Sequence, residues 1–258
     1  PSSAASDVYK RQPQVSTGAV EFRHVSFGYS PEHQLMHDVN ITVKSGQKVA
    51  IVGPTGAGKT TLINLLMRFY DVDGGSILVD GVDTKEMTRH ELRDRFGMVL
   101  QDAWLFEGSI RDNIAYAQDN LPEEKIIAAA RSASVDSFIK TLPGGYDFEL
   151  STGAENISQG QRQLLTIARA MASDPEIMIL DEATSNVDTH TEQLIQKALA
   201  KLMHGRTSFV IAHRLSTIRD ADMILYMEHG DILEHGSHEE LMAQHGKYEA
   251  LYMSQFAQ

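Results

Sequence analysis

The sequence of 258 residues contains no cysteine and no long hydrophobic run. A protein without cysteine has neither a disulfide scaffold nor a cysteine-ligated zinc site. The longest unbroken apolar runs, residues 126–130 and 223–227, have five residues each, whereas a helix needs about 20 apolar residues to cross a bilayer. We therefore expect no membrane-spanning helix in this sequence.

Basic residues are scarce compared with acidic ones: 23 Lys and Arg stand against 35 Asp and Glu, and the formal net charge is -12. Proteins that bind nucleic acids use mainly Lys and Arg to contact phosphates. Proteins that adhere to anionic membrane surfaces use basic clusters. The charge balance therefore argues against a nucleic-acid partner and against direct lipid binding. If the protein works at a membrane, we expect another protein surface to hold it there.

The spacing of apolar residues predicts an α/β fold. The segments typical of strands are residues 19–27, 39–44, 48–52, 76–80, 96–100, 176–180, 207–212 and the hairpin 223–234. Helical spacing recurs between them, first in a segment whose apolar face is formed by Leu62, Leu65, Leu66 and Phe69. Strands that alternate with helices indicate a largely parallel sheet covered on both faces, and the closely spaced first strands indicate an attached antiparallel β layer. Residues 104–156 read instead as two helices and a glycine-rich loop, which predicts an inserted helical subdomain.

A glycine-rich loop, GPTGAGKT at residues 53–60, follows the third strand and opens a helix. It matches the phosphate-binding pattern G-x-x-x-x-G-K-[ST], and its strand–loop–helix context makes a chance glycine turn the weaker interpretation. Its glycines allow backbone N–H groups to point at phosphate oxygens, and the helix N-terminus adds about half a positive charge. We expect Lys59 to reach the β- and γ-phosphates of ATP and the Thr60 hydroxyl to ligate Mg²⁺. The residues predicted to bind ATP at this loop are Gly53, Pro54, Thr55, Gly56, Ala57, Gly58, Lys59, Thr60 and Thr61.

Two carboxylates, Asp181 and Glu182, follow the apolar strand at residues 177–180. Ligands bind at the C-terminal ends of the strands in open α/β sheets. We expect Asp181 to hold Mg²⁺ through its water shell, and Glu182 to accept a proton from the attacking water or to orient it. Taken alone, the pair would read as a strand that ends in a solvated acidic turn. The phosphate-binding loop makes the catalytic interpretation the favoured one.

The segment ISQGQ at residues 157–161 begins a helix and, taken alone, reads as a serine-capped helix start. Its place just upstream of the strand that ends in Asp181 is that of the signature motif, usually LSGGQ, of ABC transporters. From about Val20 to the C-terminus the chain resembles the nucleotide-binding domain of an ABC transporter of the exporter type, as in bacterial multidrug and lipid half-transporters. The resemblance implies that the signature contacts the γ-phosphate of ATP held by a second nucleotide-binding domain. The signature residues are Ser158, Gln159, Gly160 and Gln161.

The resemblance also implies an architecture: a RecA-like P-loop NTPase core, an antiparallel β subdomain and an inserted α-helical subdomain. We expect residues 1–17 to form a linker tail and residues 18–258 to form the ABC ATPase domain. Within that domain, residues 18–102 and 159–258 would form the core with its β subdomain, and residues 103–158 the helical subdomain.

Five further residues match motifs of the family. Gln101 matches the Q-loop glutamine that senses Mg²⁺ and the attacking water, and His213 matches the switch histidine that bonds the γ-phosphate. Ser185 and Asp188 match the D-loop, usually SALD, which runs along the dimer interface. Tyr29 matches the aromatic residue that stacks on adenine. Without the resemblance, these residues would read as a loop glutamine, a structural histidine, a helix cap at Asp188 and a core tyrosine.

The chain departs from the family pattern at two places. Gln159 replaces the first glycine of LSGGQ, but Ser158 and Gly160, which bear the contacts, are kept, so we expect a working signature. The segment STGAEN at residues 151–156 is shorter and less regular than the TxVGExG pattern of exporters, which is thought to touch the membrane domains.

These motifs together predict an ATP-hydrolysing motor domain of an ABC exporter, with ATP and Mg²⁺ as cofactors. Its predicted partners are a second nucleotide-binding domain, identical or paralogous, that closes head-to-tail around the bound ATP, and the transmembrane domain of the transporter. The predicted location is the cytoplasmic face of a membrane, the plasma (inner) membrane. The predicted catalytic residues are Glu182, His213, Gln101 and Lys59, and the predicted metal ligands are Thr60, Gln101 and Asp181.

Three other functions compete with this interpretation: a soluble ABC ATPase, a P-loop kinase and a non-catalytic regulatory nucleotide-binding module. The acidic balance, the single nucleotide-binding unit and the exporter-like segment at residues 105–117 argue against the first. A kinase would lack the signature, the D-loop and His213. The presence of Glu182 and His213 disfavours a non-catalytic module.

Overall fold

The structure is a computed structural model that describes residues 17–30, 32–100, 103–116, 118, 120–182 and 187–256. Its strands are β1 (Val20–Ser30), β2 (His33–Val43), β3 (Lys48–Val52), β4 (Gly74–Val79), β5 (Val82–Asp83), β6 (Phe96–Val99), β7 (Gly108–Ser109), β8 (Glu149–Leu150), β9 (Ile177–Asp181), β10 (Thr207–Ile211), β11 (Met223–Glu228) and β12 (Asp231–Gly236). Its α-helices are α1 (Lys59–Leu66), α2 (Arg89–Arg93), α3 (Ile110–Ile114), α4 (Glu123–Ser132), α5 (Asp136–Ile139), α6 (Gln159–Ser173), α7 (Thr189–Met203), α8 (Leu215–Arg219), α9 (His238–Ala243) and α10 (Lys247–Phe256). Residues 1–16 of the expected linker tail, together with Gln101 and Ser185, lie outside the described residues.

The central sheet has the strand order β12-β11-β3-β10-β9-β6. Strands β11, β3, β10, β9 and β6 pair in parallel, and β12 is antiparallel to β11 at one edge. The predicted largely parallel sheet is therefore confirmed. This order places β10 between β3, which leads into the glycine loop, and β9, which ends in Asp181.

Side chains of the central strands alternate between two buried layers, because successive residues of a strand point to opposite faces of the sheet. Val49 and Ile51 of β3 belong to the layer that contains α1 and the antiparallel sheet. Ala50 and Val52 belong to the layer that contains α6 and α7. Since both faces are covered, the strands are apolar along their length. Ala212, which follows β10, continues this alternation: Ile211 lies in the α1 layer and Ala212 in the layer of α6 and α7.

An antiparallel sheet of order β2-β1-β4-β5 covers the α1 side of the central sheet. Phe22, Val25 and Phe27 of β1 are buried in the layer between the two sheets. The Asp80 carboxylate, just after β4, accepts hydrogen bonds from the backbone N–H groups of Thr17 (3.1 Å) and Ala19 (3.0 Å) and so anchors the start of β1. The predicted antiparallel β layer is confirmed.

Between β6 and α6 the chain forms α3, α4, α5 and the short strand pair β7–β8. Ile126 and Ala130 of α4 are buried in the same core as Leu164 of α6, which joins the helical insertion to the central layer. The sequence pattern predicts α4 and α5 but misses α3, which is capped by Ser109, whose hydroxyl oxygen accepts from the Asp112 N–H (3.0 Å). Among the helices described, none has both the length and the apolar character needed to cross a membrane.

Helix α1 is shorter than the helical pattern predicts. It ends at Leu66, and Phe69 lies beyond it with 47% of its surface exposed. The chain turns away from the helix at Arg68, whose φ of +54° belongs to the left-handed region. The Arg93 guanidinium lies 4.5 Å from the centroid of the Phe69 ring in a cation–π contact. The prediction that Phe69 shares the buried face of α1 is therefore wrong.

Candidate functional site

The glycine loop joins β3 to α1 and forms one wall of a pocket of about 360 Å³. Gly58 is the N-cap of α1 with a φ of +97°, a conformation that glycine adopts without strain. A Cβ at Gly58 would lie 3.1 Å from the Gly230 Cα in the β11–β12 turn, so the loop leaves little room for a side chain at this position. The residues that line the pocket are Tyr29, Leu35, Gly56, Ala57, Gly58, Lys59, Thr60 and Thr61.

Lys59 begins α1 and folds its side chain back over the loop. Its Nζ donates hydrogen bonds to the carbonyl oxygens of Gly53 (2.7 Å) and Pro54 (2.9 Å). Partial burial lowers the pKa of Lys59, and the charge of Asp181 opposes that shift. The loop thus places the ammonium group between backbone acceptors and the carboxylate that ends β9.

Tyr29 stands at the rim of the loop pocket, near the end of β1. Its side chain is 57% exposed, so the alternative of a core tyrosine is wrong. The Tyr29 hydroxyl shares a hydrogen bond of 2.9 Å with the hydroxyl of Thr61. Its ring makes edge-to-face contacts with Phe27 (5.0 Å between centroids) and Tyr70 (5.2 Å). These contacts hold an exposed aromatic ring beside the glycine loop, and its stacking on adenine stays a prediction.

Substitution of Tyr29 by alanine should weaken ATP binding by roughly 5- to 150-fold, since stacking on a base contributes roughly 1–3 kcal/mol. The matched control is Tyr29→Phe, which keeps the ring and loses only the hydrogen bond to Thr61. Its affinity should stay within about tenfold of the wild type, because one such hydrogen bond contributes about 1 kcal/mol. The measurement is titration calorimetry with ATP. Equal losses in both variants would argue against stacking.

Strand β9 carries Asp181 and Glu182 to the edge of the sheet where the glycine loop begins. Asp181 continues the alternation of Ile179 on the α1 side, and its charge acts on Lys59. Glu182 continues the alternation of Leu180 on the side of α6 and α7, and the residue is only 8% exposed. The alternation along β9 thus assigns the two adjacent residues to different sides of the sheet, although both line the cavity beside α7 and α8.

His213 and Asp188 lie at the ends of neighbouring elements. His213 is exposed and follows β10, next to β3 and β9 in the sheet. Asp188 is the N-cap of α7, and its carboxylate accepts from the Thr191 N–H (3.0 Å), a hydrogen bond that lowers the pKa of Asp188. The helix-cap role of Asp188 is confirmed. Its place at a dimer interface stays a prediction, as do the roles of Gln101 and Ser185, which lie outside the described residues.

The signature forms the N-terminus of α6 through a reciprocal cap. The Ser158 hydroxyl oxygen accepts from the Gln161 N–H (3.3 Å), and the Gln161 side-chain oxygen accepts from the Ser158 N–H (2.9 Å). The pattern S-x-x-Q in the sequence is the known signal for this capping box, so the structural role of Gln161 could have been predicted. Gln159 is exposed at the first residue of the helix, and it therefore replaces glycine without disturbing the packing.

Gly160 is buried, and contacts within this chain explain why a glycine is needed at this position. A Cβ at this position would lie 2.3 Å from Thr191 Cγ2 and 2.9 Å from Val187 Cγ1. The glycine therefore allows the start of α6 to approach the segment that leads into α7. Packing within the chain is thus one reason for a glycine here, and the close approach to phosphate that the family resemblance implies is a second.

Known proteins that are similar to this chain agree with the arrangement of the glycine loop, the acidic end of β9 and the capped start of α6. A family model described as ABC transporter matches residues 36–185. The chain belongs to the ABC transporter family. It is 54% identical over 242 residues to the uncharacterized ABC transporter ATP-binding protein YfiC of Bacillus subtilis. This match covers 94% of the present chain and 40% of YfiC. It is 55% identical over 232 residues to the fatty acid ABC transporter ATP-binding/permease protein of Mycobacterium bovis, which covers 90% of this chain and 37% of that protein.

A solved structure of a bacterial Atm1-family ABC exporter with ATP bound has the same fold. It superimposes with a TM-score of 0.87 at 42% identity, over 95% of this chain and 43% of that chain. The predicted P-loop NTPase fold is confirmed, and the chain is an ATP-binding ATPase domain of the ABC transporter family. It spans about 40% of the length of the curated relatives it matches.

Thr60 and Asp181 are the described residues of this ABC domain that could hold Mg²⁺. Thr60 is exposed in the loop pocket, and Asp181 lies partly buried beside Lys59. A hydroxyl and a carboxylate are oxygen ligands, which Mg²⁺ prefers, and this ion commonly takes its other ligands from phosphates and water. The described residues contain no cluster of three His, Cys, Asp or Glu side chains that could bind a metal alone. The donor set therefore fits a metal ion that binds together with the nucleotide phosphates.

Two residues that the family motifs do not mark, Thr217 and Arg214, lie against Glu182. Both follow His213 in the segment that forms α8, and both line the same cavity as Glu182. The alternation of side chains along β9 could have indicated these neighbours, because it places Glu182 on the side of the sheet that α8 covers. The sequence pattern did not predict α8, so the neighbours of Glu182 were missed with it.

Proposed function

We propose that this ATPase domain drives export across a membrane, and that two such domains close head-to-tail around two ATP molecules. The observation that supports this proposal is that the glycine loop and the signature, both expected to bind phosphate, lie on different parts of one chain. The loop pocket is lined by residues of β1, β2 and the glycine loop with α1. The exposed Ser158 caps α6, which packs against α3, α4, α7 and β6. The signature of one chain would therefore complete the ATP site of another.

The proposed reaction is in-line attack of water on the γ-phosphate, in which charge on the transferred group must be stabilised. The Lys59 ammonium, His213 and the partner's Ser158 stabilise that charge. Glu182 accepts the proton of the attacking water, and Gln101 senses the attack. Thr60 and Asp181, with Gln101, would hold Mg²⁺, which would neutralise charge at the phosphate oxygens.

The helical subdomain, proposed as residues 103–158, carries a cluster of exposed aromatic side chains. Trp104 is 60% exposed and Tyr116 48% exposed, and these two rings and the ring of Phe106 all contact one another. Arg169 holds the cluster together: its Nη1 donates to the Trp104 carbonyl oxygen (3.0 Å), and its guanidinium lies 4.9 Å from the centroid of the Tyr116 ring. Clustered exposed aromatic side chains are typical of protein interaction sites. We assign this surface to the transmembrane domain.

The relatives support a membrane setting for this domain. One relative is named a fatty acid ABC transporter ATP-binding/permease protein, and the chain spans 37% of its length. The proposed location is therefore the cytoplasmic face of a membrane, with the domain held by its transmembrane partner. A soluble ABC ATPase is not favoured, because the relatives that match over nearly all of the chain are named as transporter proteins.

The dimer is tested by the dependence of ATPase activity on protein concentration. Because each site needs two chains, activity per molecule of the isolated domain should rise with concentration until the dimer is saturated. Phosphate release is measured across a dilution series, with the oligomeric state followed by light scattering. A constant activity per molecule from a protein that scatters as a monomer would contradict the proposal.

A further inference from the structure

Glu182 occupies an enclosed position outside the glycine-loop pocket. Its side chain is 6% exposed and lines a cavity of about 240 Å³ between the central sheet and helices α6, α7 and α8. Among the described residues, this cavity and the loop pocket share no lining residue. The Glu182 N–H still donates to the Ile211 carbonyl oxygen (3.1 Å), so the backbone continues the alternation of β9. The carboxylate thus lines this cavity together with the neighbouring Asp181, whose charge acts on Lys59.

A buried hydrogen bond holds the carboxylate in this position. Thr217 of α8 is 7% exposed, and its hydroxyl donates to Glu182 Oε1 at 2.6 Å. The second oxygen, Oε2, is buried and has no hydrogen-bond partner in the part of the chain that the structure describes. A general base has to come within about 2.6–3.2 Å of the group whose proton it accepts, directly or through one water. The Thr217 hydroxyl engages Oε1 as an acceptor, so breaking this hydrogen bond frees that oxygen to accept the proton of a water.

Arg214 stabilises the same position by its charge. Its Nε lies 3.8 Å from Glu182 Oε1, and its Nη1 lies 2.5 Å from Oε1 of Glu192 on α7. The guanidinium thus lies between two carboxylates, of which Glu182 is the buried one. At this separation the two groups form an ion pair without a hydrogen bond, since Arg214 Nε has no hydrogen-bond partner among the described residues. The pair adds to the hydrogen bond from Thr217 in keeping Glu182 on this side of the sheet.

We propose that Thr217 is a positioning residue whose hydroxyl keeps Glu182 Oε1 engaged until the segment after β10 moves. This inference rests on the proposed function, in which Glu182 is the base. His213 and Thr217 are four residues apart on that one segment, and His213 is its exposed end. We expect a shift that carries His213 to the γ-phosphate to draw Thr217 away from Glu182, because both residues lie on this segment. Phosphate binding at His213 is in this way coupled to release of the base.

The test is removal of the Thr217 hydroxyl. Thr217→Val keeps the shape of the side chain and should raise kcat of the domain about fivefold or more, with KM for ATP changed by less than about twofold. Thr217→Ser keeps the hydroxyl and should match the wild type. The matched control is Thr166→Val: Thr166 is equally buried (7% exposed) and donates to the Arg162 carbonyl oxygen within α6 (3.0 Å). This control should leave kcat within about twofold of the wild type.

An unchanged kcat in folded Thr217→Val protein would overturn the proposal. A fall in kcat that serine restores would also overturn it, because the hydroxyl would then hold Glu182 in its working position. If the valine variant does not fold, Thr217→Ala carries the same expectation. The double variant Glu182→Gln/Thr217→Val should be as inactive as Glu182→Gln alone. Full activity of Glu182→Gln would refute the base itself, whereas an inactive Glu182→Gln beside an unresponsive Thr217→Val refutes only the positioning role.

Discussion

Glu182→Gln should lower ATP turnover by about three orders of magnitude and leave ATP binding and ATP-driven dimerisation intact, since general-base catalysis contributes roughly 10²–10⁴-fold. Glutamine has the size of glutamate, and its amide oxygen can still accept the hydrogen bond from Thr217. The amide cannot take a proton from water. Phosphate release measures the lost step, and light scattering with ATP measures the dimer, which should persist because hydrolysis no longer reopens it.

The matched control is Glu228→Gln. Glu228 also ends a strand of the central sheet, and its carboxylate pairs with Lys247 at the surface (2.5 Å). Its loss should change turnover by less than about twofold, because this ion pair is exposed to solvent and lies outside the proposed site. Normal phosphate release by Glu182→Gln would refute the base assignment. In the longer protein, reconstituted in vesicles, Glu182→Gln should stop ATP-driven transport, and undiminished transport would contradict the proposed export function.

Ser158→Asp separates the two roles of the signature serine. Aspartate is as good a helix N-cap as serine, so α6 and its capping box should stay intact. Its charge, however, would face the γ-phosphate bound to the partner chain. Like charges about 4 Å apart near a protein surface repel by a few kcal/mol, so turnover should fall by about 100-fold or more. Thermal unfolding should remain within a few degrees of the wild type, as about 1 kcal/mol shifts Tm by about 2–4 °C in a domain of this size.

Ser237→Asp is the matched control, because Ser237 caps α9 with the same reciprocal box, made with Glu240. It places the same charge at an equivalent helix start outside the loop pocket and the signature. Its turnover should be unchanged within about twofold. Equal losses in Ser158→Asp and Ser237→Asp would mean that the charge acts through the fold, and the phosphate contact of Ser158 would be ruled out.

A mixture of two inactive variants gives the sharpest test of the shared site. In a dimer of one Ser158→Asp chain and one Glu182→Gln chain, one of the two sites contains an intact Glu182 and an intact partner signature. Random pairing makes half of the dimers mixed, so an equal mixture should recover about a quarter of the wild-type activity. The matched control is an equal mixture of Glu182→Gln and Lys59→Ala chains, in which neither site of a mixed dimer is intact and no recovery is expected. No recovery above the separate variants would contradict a site built from two chains.

The parts of the molecule that the sequence pattern predicted correctly depend on neighbouring residues. The glycine loop, the apolar β9 with its two carboxylates, and α6 with its serine cap are each encoded within a short segment. The five-residue helices α2, α3 and α8 were missed because helices this short are not stable alone and form through caps and tertiary packing. The end of α1 was misplaced because Phe69 has helical spacing, but Arg68 adopts a left-handed conformation.

The sequence by itself determined the family, the phosphate-binding loop and the charge balance, because each resides in contiguous residues or in composition. Only the tertiary structure decided that Glu182 faces the α7 side, that Thr217 holds it, and that Gly160 is needed against Thr191. Glu182 and Thr217 are 35 residues apart in sequence, and Tyr29 and Thr61 are 32 apart. No local pattern specifies such pairs, because they meet only when the strand order brings distant strand ends to one edge of the sheet.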